Sequence, residues 1–505
     1  MIGDLTNLTT YDNSTIVNAI NEVNDKITTP EEFGAVGDGV TDDTAALRAM
    51  FASDHRYFLF KNGAKYLVSV TTNTESALIP PENSIVDLNS SEIIMDANIF
   101  DNTQIIEIAH DNVTVKNGTL TGDKLTHLTT TGQFGMCLYI RDCDGAIVDN
   151  MLCQYGWGDG IYIGNIEATN VTIRNTICDN NRRSGMSVTW ANGVKIENCE
   201  FNNTSGHAPQ NGIDFETNDD VNEPIQNIYM NNVKCIGNAG RSIRFIRMGP
   251  DFNKCICTNL YIKDTSLTFG DDVTNPSAGN YIFENVIIEN TQNTPIMFEN
   301  KRNISKLVMN NVILNNCHMA ATTDGSWDGI ISLKTSTNDP DATHYYGNIE
   351  ITNVVCDYSD CLKPLRIVAA PHSSMQYIDV YIEIIRADNI PDVVVATNFN
   401  DDISVSCPRN ASTIRSDNYS MGLGNEIPLN IICTHSAPVV HLDTGGSATG
   451  CSGIFNLFNA DSTDGTIMCG TAGTTFQDGT TTIDFPARSW VSLWLDKVAN
   501  VWNFV

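Results

Sequence analysis

Short apolar runs with a period of two dominate this chain, and one pattern recurs in them: apolar, any, apolar, any, Asn, any, any, apolar. It is found at nine places, beginning with Val113 to Asn117, Ala146 to Asn150, Val171 to Asn175, Val194 to Asn198 and Ile228 to Asn232. Leu260 to Asp264, Tyr281 to Asn285, Leu307 to Asn311 and Ile349 to Asn353 complete the set. The alternation predicts short strands with one buried face. The Asn stands where the chain must bend, because it tolerates left-handed dihedrals and its amide can bond to the copy stacked above it. Successive bend positions are 33, 25, 23, 34, 32, 21, 26 and 42 residues apart, so a coil takes 21 to 26 residues and some turns carry inserted loops. One such coil cannot bury its apolar face alone. Nine of them stacked at ~4.8 Å would form a column on the order of 45 Å with a continuous core. The fold class expected is therefore all-β, a parallel β-helix (β-solenoid) rather than a sandwich.

Cys153, Cys178, Cys235 and Cys356 each fall three residues after the bend, on the inward side, where a small apolar residue stacks between coils. A further strand per coil aligns through Leu138-Tyr139-Ile140, Ile161-Tyr162-Ile163, Met186-Ser187-Val188, Ile213-Asp214-Phe215 and Ile243-Arg244-Phe245. Its flanking residues face inward, so Tyr139, Tyr162, Ser187, Asp214 and Arg244 are expected as one outward column. Glu216, two residues past Asp214, shares that face at about 6.6 Å along the strand. Asp159 aligns with Ser184 and Asn211 where this strand begins.

The ends of the chain differ from its middle. Residues 14–27 combine a Ser N-cap with an apolar stripe at Ile16, Ala19, Ile20, Val23 and Ile27, the pattern of a short amphipathic helix. Such a helix is too short to stand alone, so it should pack on its own domain, on copies of itself or on another protein. Thr41-Asp42-Asp43 is expected to cap a second helix whose face of Ala45, Ala46, Met50 and Phe51 closes the mouth of the solenoid. The repeat fades near residue 395, the tail turns to short strands such as Thr480 to Phe485, and its ending, Trp490 to Trp494 and Val501 to Val505, is rich in aromatics. Four segments follow: 1–28, helical attachment or trimerisation; 29–104, cap and first strands; 105–395, parallel β-helix with the groove; 396–505, a small C-terminal β-domain.

Charge narrows the partners. Sixty acidic against 29 basic residues leave a formal charge of −31, a field that repels phosphate backbones and anionic membrane surfaces. No apolar run approaches the roughly 20 residues that span a bilayer, and the first 30 residues hold neither an apolar stretch nor a basic leader. Neither nucleic acid nor membrane is an expected partner, and no visible signal directs export. There is no phosphate loop, nucleophile elbow or HExxH site, so the sequence calls for neither cofactor nor metal.

Residues 31–47, Glu-Glu-Phe-Gly-Ala-Val-Gly-Asp-Gly-Val-Thr-Asp-Asp-Thr-Ala-Ala-Leu, resemble the opening of the pectate-lyase-like right-handed β-helix superfamily, which includes many phage tailspikes. Asn180 to Val188, followed by Gly206 to Glu216, resembles a pattern common in β-helix proteins of phages and of secreted polysaccharide-acting enzymes. That likeness points to Arg183, Asp214 and Glu216, although Ser184 stands where Gln is usual and Thr217 where Pro is usual. The resemblance implies a homotrimeric tailspike on the virion, joined to other tail proteins through its N-terminal segment, with residues 396–505 holding the chains together or binding sugar, and acting at the host cell surface. Its substrate would be a host surface polysaccharide, bound and depolymerised. Two carboxyl groups on one face suit glycosidic hydrolysis, one giving a proton and one acting on water or sugar. Asp214, Glu216 and Asp159 are the catalytic candidates. Arg183, Arg182, His207, Tyr139, Tyr162, Arg244 and Trp157 are the substrate-binding ones. A lyase using Arg183, Arg244 or Arg247, a non-catalytic receptor-binding spike and a free bacterial polysaccharide-degrading enzyme are the alternatives. For Asp214, Arg244 and Glu216 the plain alternative is a solvated ion-pair ladder.

Overall fold

The computed structural model describes residues 27–218 without a break; beyond them it describes 222–246, 248, 254–270, 280–292, 294–299, 306–317 and, from 331 to 504, chiefly strands. Of the helix expected at 14–27, all but Ile27 lies outside the described residues, and Ile27 opens a strand, Ile27–Thr28. The chain divides into two compact units. The first comprises Met1–Asn218, Asn227–Tyr229 and Val233–Gly240; the second comprises Asp219–Gln226, Met230–Asn232 and Arg241–Val505.

In the first unit each coil has three strand limbs. Around Asn175, for instance, Ala168–Arg174 runs to the bend, Ile177–Asp179 follows it, and Ser184–Val188 forms the third limb. Every limb pairs in parallel with the same limb one coil on, as in Val171 with Val194, Cys153 with Cys178 and Ile161 with Met186. Third limbs build a sheet of their own from β1 (Glu75–Leu78), β2 (Asn102–Ile108), β3 (Phe134–Ile140), β4 (Ile161–Ile163), β5 (Ser184–Val188) and β6 (Asn211–Glu216).

Alternation sets the core. Val171, Ile173, Cys178, Met186, Val188, Ile213 and Phe215 are fully buried, each contributing about 1.5–3 kcal/mol if large and apolar. The inward cysteines Cys153, Cys178, Cys235 and Cys356 are buried thiols without a disulfide, so they act as small apolar core residues. At the bends Asn117, Asn150, Asn175 and Asn198 hold φ between 51° and 61°. Their amides stack: Asn150 Nδ2 donates to Asn117 Oδ1 at 3.1 Å, and Asn198 Nδ2 to Asn175 Oδ1 at 3.3 Å.

The second unit repeats the plan with one correction to the sequence register. Leu260 to Asp264 is not a first limb. Asn259 is the bend, pairing Cys255 with Tyr281 and Cys257 with Phe283, and Asn285 donates to Asn259 at 3.0 Å from 26 residues away. Parallel pairing continues past residue 395, where the motif fades, as in Val405 with Ile431 and Val440 with Ile467. It gives way to antiparallel strands at Thr482–Phe485 and Trp490–Asp496.

A cap forms as the residues around 42 require, but with changed roles. Helix α1 (Thr44–Phe51) buries Thr44, Leu47, Met50 and Phe51; Ala45 is exposed, because the contact face is set by i, i+3 and i+7 spacing. Asp42 Oδ1 accepts from the Thr44 amide at 2.9 Å, whereas Asp43 turns back to accept from the amides of Val36 and Gly37 at 2.6 and 3.0 Å. Arg48 locks α1 to β1 through the Ala77 carbonyl at 2.7 Å and Glu75 at 2.9 Å.

Candidate functional site

Strand register builds the site on the sheet of third limbs. Glu107, Tyr139, Tyr162, Ser187 and Asp214 occupy successive rungs of β2 to β6. Their neighbours Ile106, Leu138, Ile161, Met186, Ile213 and Phe215 face the core, so Asp214 and Glu216 do not belong to the apolar interior. The open strip expected from the sequence is nevertheless covered: Tyr139 is 8%, Tyr162 3% and Asp214 1% exposed.

Arg183 is the hub. Its Nη1 donates to Asp159 Oδ2 at 2.8 Å and lies 3.3 Å from Ser187 Oγ. Burial works against its positive charge, but Asp159, Asp214, Tyr162 and Glu216 together keep its pKa above the ordinary value. Asp159 thus bonds to Arg183 directly, and the charges of Asp214 and Glu216 reach the same guanidinium. Asp159 is fully buried, and burial raises its pKa although Arg183 pulls the other way. Its second oxygen, Oδ1, and Ser184 Oγ have no hydrogen-bond partner among the described residues; buried polar atoms left so are normally met by water or by a ligand. Glycine makes the close approach here possible: a Cβ on Gly158 would stand 2.6 Å from the Gln133 carbonyl, and one on Gly160 2.7 Å from that of Gly185.

An inserted loop, residues 122–133, folds over Trp157 and Arg182. Trp157 is sandwiched, with His127 stacked on one contact at 3.9 Å and 15° and the Arg182 guanidinium 3.6 Å from the ring centre. Arg182 also donates to the carbonyl of Gly132 at 2.7 Å and of Thr130 at 3.3 Å, while His127 Nδ1 meets Asp123 Oδ2 at 2.6 Å. Trp157 is only 7% exposed, and both Arg182 Nη atoms donate to loop carbonyls. Both side chains, placed in solvent by the sequence reading, clasp the inserted loop in the structure. His207 is half-buried on the adjoining turn, its Nδ1 2.8 Å from the Ala208 carbonyl. Arg244 belongs to the second unit, half-buried opposite Thr268; Arg247 lies outside the described residues.

Next to the cluster, within the first unit, is a groove of about 510 Å³. Phe134, Met136, Tyr139 and Tyr162 form its apolar wall, and Glu107 and Arg141 its charged pair, joined at 2.7 Å. Sequence reasoning missed Glu107 and Arg141. Ile106-Glu107-Ile108 carries the same apolar, any, apolar signature as Leu138-Tyr139-Ile140, so extending the alignment one coil back would have found the carboxylate.

Residues 68–228 match the family model described as "Right handed beta helix region". The chain is a right-handed parallel β-helix. Within curated proteins, a 54-residue segment of this β-helix chain is 48% identical to "Depolymerase, capsule K30/K69-specific" of Klebsiella phage K64-1, covering 10% of this chain and 6% of that protein. Among solved structures the β-helix is similar to a family 28 exopolygalacturonase of Yersinia enterocolitica, at 11% identity and TM-score 0.46 over 84% of this chain and 79% of that one. It is also similar to the Dettilon tailspike protein, at 14% identity and TM-score 0.35 over 81% and 69%.

Proposed function

We propose that this chain is a phage tailspike that binds a host cell-surface polysaccharide and depolymerises it by hydrolysing a glycosidic bond. The observation that carries the reading is the cluster around Arg183, in which one buried guanidinium lies in the field of Asp159, Asp214 and Glu216 beside an aromatic-walled groove. Asp214 and Glu216 stand two residues apart on one strand of that cluster, so two carboxyl groups share one face. That is the setting in which one carboxyl group serves as acid and another as base or nucleophile. In this reading Asp214 and Glu216 are the reacting pair, and Asp159 belongs to the same catalytic group while holding Arg183 in place. The short match to a capsule-specific depolymerase supports the substrate class.

Asp214→Asn and Glu216→Gln should each lower the release of reducing ends from purified capsular or O-antigen polysaccharide by roughly 10²–10⁴-fold, with melting temperature and polysaccharide binding retained. Full activity in both variants would sink the assignment. The lyase reading is favoured by one feature, the Arg183 guanidinium inside the site, which could neutralise a uronate carboxylate. Products absorbing in the near ultraviolet, from a new carbon–carbon double bond, would move the assignment to a lyase. We extend the proposal to a homotrimer carried on the virion, attached through residues 1–28 to other tail proteins and acting at the host surface.

A further inference from the structure

The groove beside the Arg183 cluster falls within the ~300–1,000 Å³ typical of small-molecule sites, at about 510 Å³. Its wall of Phe134, Met136, Tyr139 and Tyr162 is a packed apolar cluster. Amides surround that wall, among them Asn102, Gln104, Asn165 and Asn218. Asn165 ties them together: its Nδ2 donates to the Tyr139 hydroxyl at 2.8 Å, and its Oδ1 accepts from Asn218 Nδ2 at 2.8 Å and from the Tyr162 hydroxyl at 3.3 Å. Among the described residues, the only charged side chains lining the groove are Glu107 and Arg141, and they neutralise each other. Ser76 Oγ also bonds to Glu107. On a chain carrying −31, an uncharged groove of this kind is a local exception.

An apolar wall ringed by fixed amides and hydroxyls matches a pyranose ring, which has a C–H face and a belt of hydroxyl groups. A carboxylate on the sugar would approach Glu107 while the guanidinium beside it is already engaged. Continuity with the reaction centre comes from shared walls: Phe134 lines the groove and carries the Arg183 guanidinium 5.5 Å above its ring, and Tyr162 lines the groove within the field of Asp159 and Arg183.

We propose that this groove is a subsite for an uncharged sugar, a hexose or N-acetylhexosamine unit, lying next to the bond that is cut. The inference rests on the depolymerase reading for its biological substrate but not for its binding chemistry. The test uses the full chain carrying Asp214→Asn, so that glycans are held and not cut, on a printed array of uncharged hexose and N-acetylhexosamine oligosaccharides and of uronate oligosaccharides. Uncharged chains should bind, with affinity changing less than about twofold between about 50 and 500 mM salt, because no ion pair to the ligand is screened. Asn165→Gly suits the left-handed backbone at that residue, φ 63°, and should weaken binding at least about tenfold, while Tyr139→Phe should weaken it severalfold by removing one hydroxyl. Binding confined to uronates and lost in salt, no uncharged glycan bound, or unchanged affinity in a folded Asn165→Gly and in Tyr139→Phe would each overturn the subsite. The two readings fail separately. Asn165-dependent binding by a wild-type chain that cuts no polysaccharide removes the enzyme and leaves the subsite, whereas cutting unaffected by Asn165→Gly removes the subsite alone.

Discussion

At the scale of single residues, asparagine does two jobs at each bend. It accepts a left-handed backbone that would cost most other L-residues roughly 1–2 kcal/mol, and its side chain bonds across coils. Asn175 shows both: φ is 51°, its Nδ2 donates to Asp149 at 2.8 Å, and its Oδ1 accepts from Asn198. Asn175→Ala should therefore destabilise the chain by about 1–3 kcal/mol, whereas Asn175→Gly keeps the backbone freedom, loses only the side-chain bonds and should cost less. Denaturant unfolding of the two variants checks this, and equal losses would show that the backbone conformation is not what asparagine supplies. This layer was legible in the sequence because both properties are local to the residue. Burial of Asp214 and Asp159 was not, since it depends on Arg183 and on residues brought over them from elsewhere.

At the scale of elements, the cap shows how one exposed helix is held. Arg48 on α1 bonds to Glu75 on β1, and Glu75 also accepts from the amides of Thr71 and Thr72 at 2.6 and 3.0 Å. Partial burial would raise the pKa of Glu75, but these bonds outweigh it and bring it down to about 2 from 4.5. A carboxyl with a depressed folded pKa stabilises fully above its unfolded value and loses that contribution as pH falls through the folded one. The stability gap between the wild type and Glu75→Gln should therefore be widest above pH 4.5 and close as pH falls toward 2. Melting curves across that range would show it, and a gap that does not narrow with acid would refute the role given to Glu75. Elements also explain the one register error. Leu260 to Asp264 alternates and ends in a left-handed residue, φ 75°, as does the true first limb ending at Asn259, φ 58°. Two limbs with the same local signature can be told apart only by their partners in the next coil.

At the scale of the whole molecule, the proposed homotrimer makes the simplest demand on experiment. Native mass measurement of the purified chain should give three times its 55.3 kDa, and a single-chain mass at micromolar concentration would remove the trimer from the proposal. A net charge of −31 is compatible with such an assembly only where apolar or compensated surfaces meet, since like fields repel. The Arg183 cluster and its groove lie in the first unit, so variants at Asp214, Glu216 and Asn165 read that unit directly.

Sequence alone determined the period-two strands, the asparagine bends, the inward cysteines and the rung order that runs from Tyr139 through Tyr162 and Ser187 to Asp214. All of these follow from alternation and backbone preference over a few residues. Tertiary structure decided that Arg182 and Trp157 clasp a loop, that Glu107 and Arg141 pair in a groove walled by the tyrosines, and that Arg183 bonds to the buried Asp159. Those contacts join segments separated by 24 to 52 residues, as in Arg183 to Asp159 and Arg182 to Thr130. No local pattern encodes them, because which loop covers a given rung depends on how far each insertion reaches across the stacked coils.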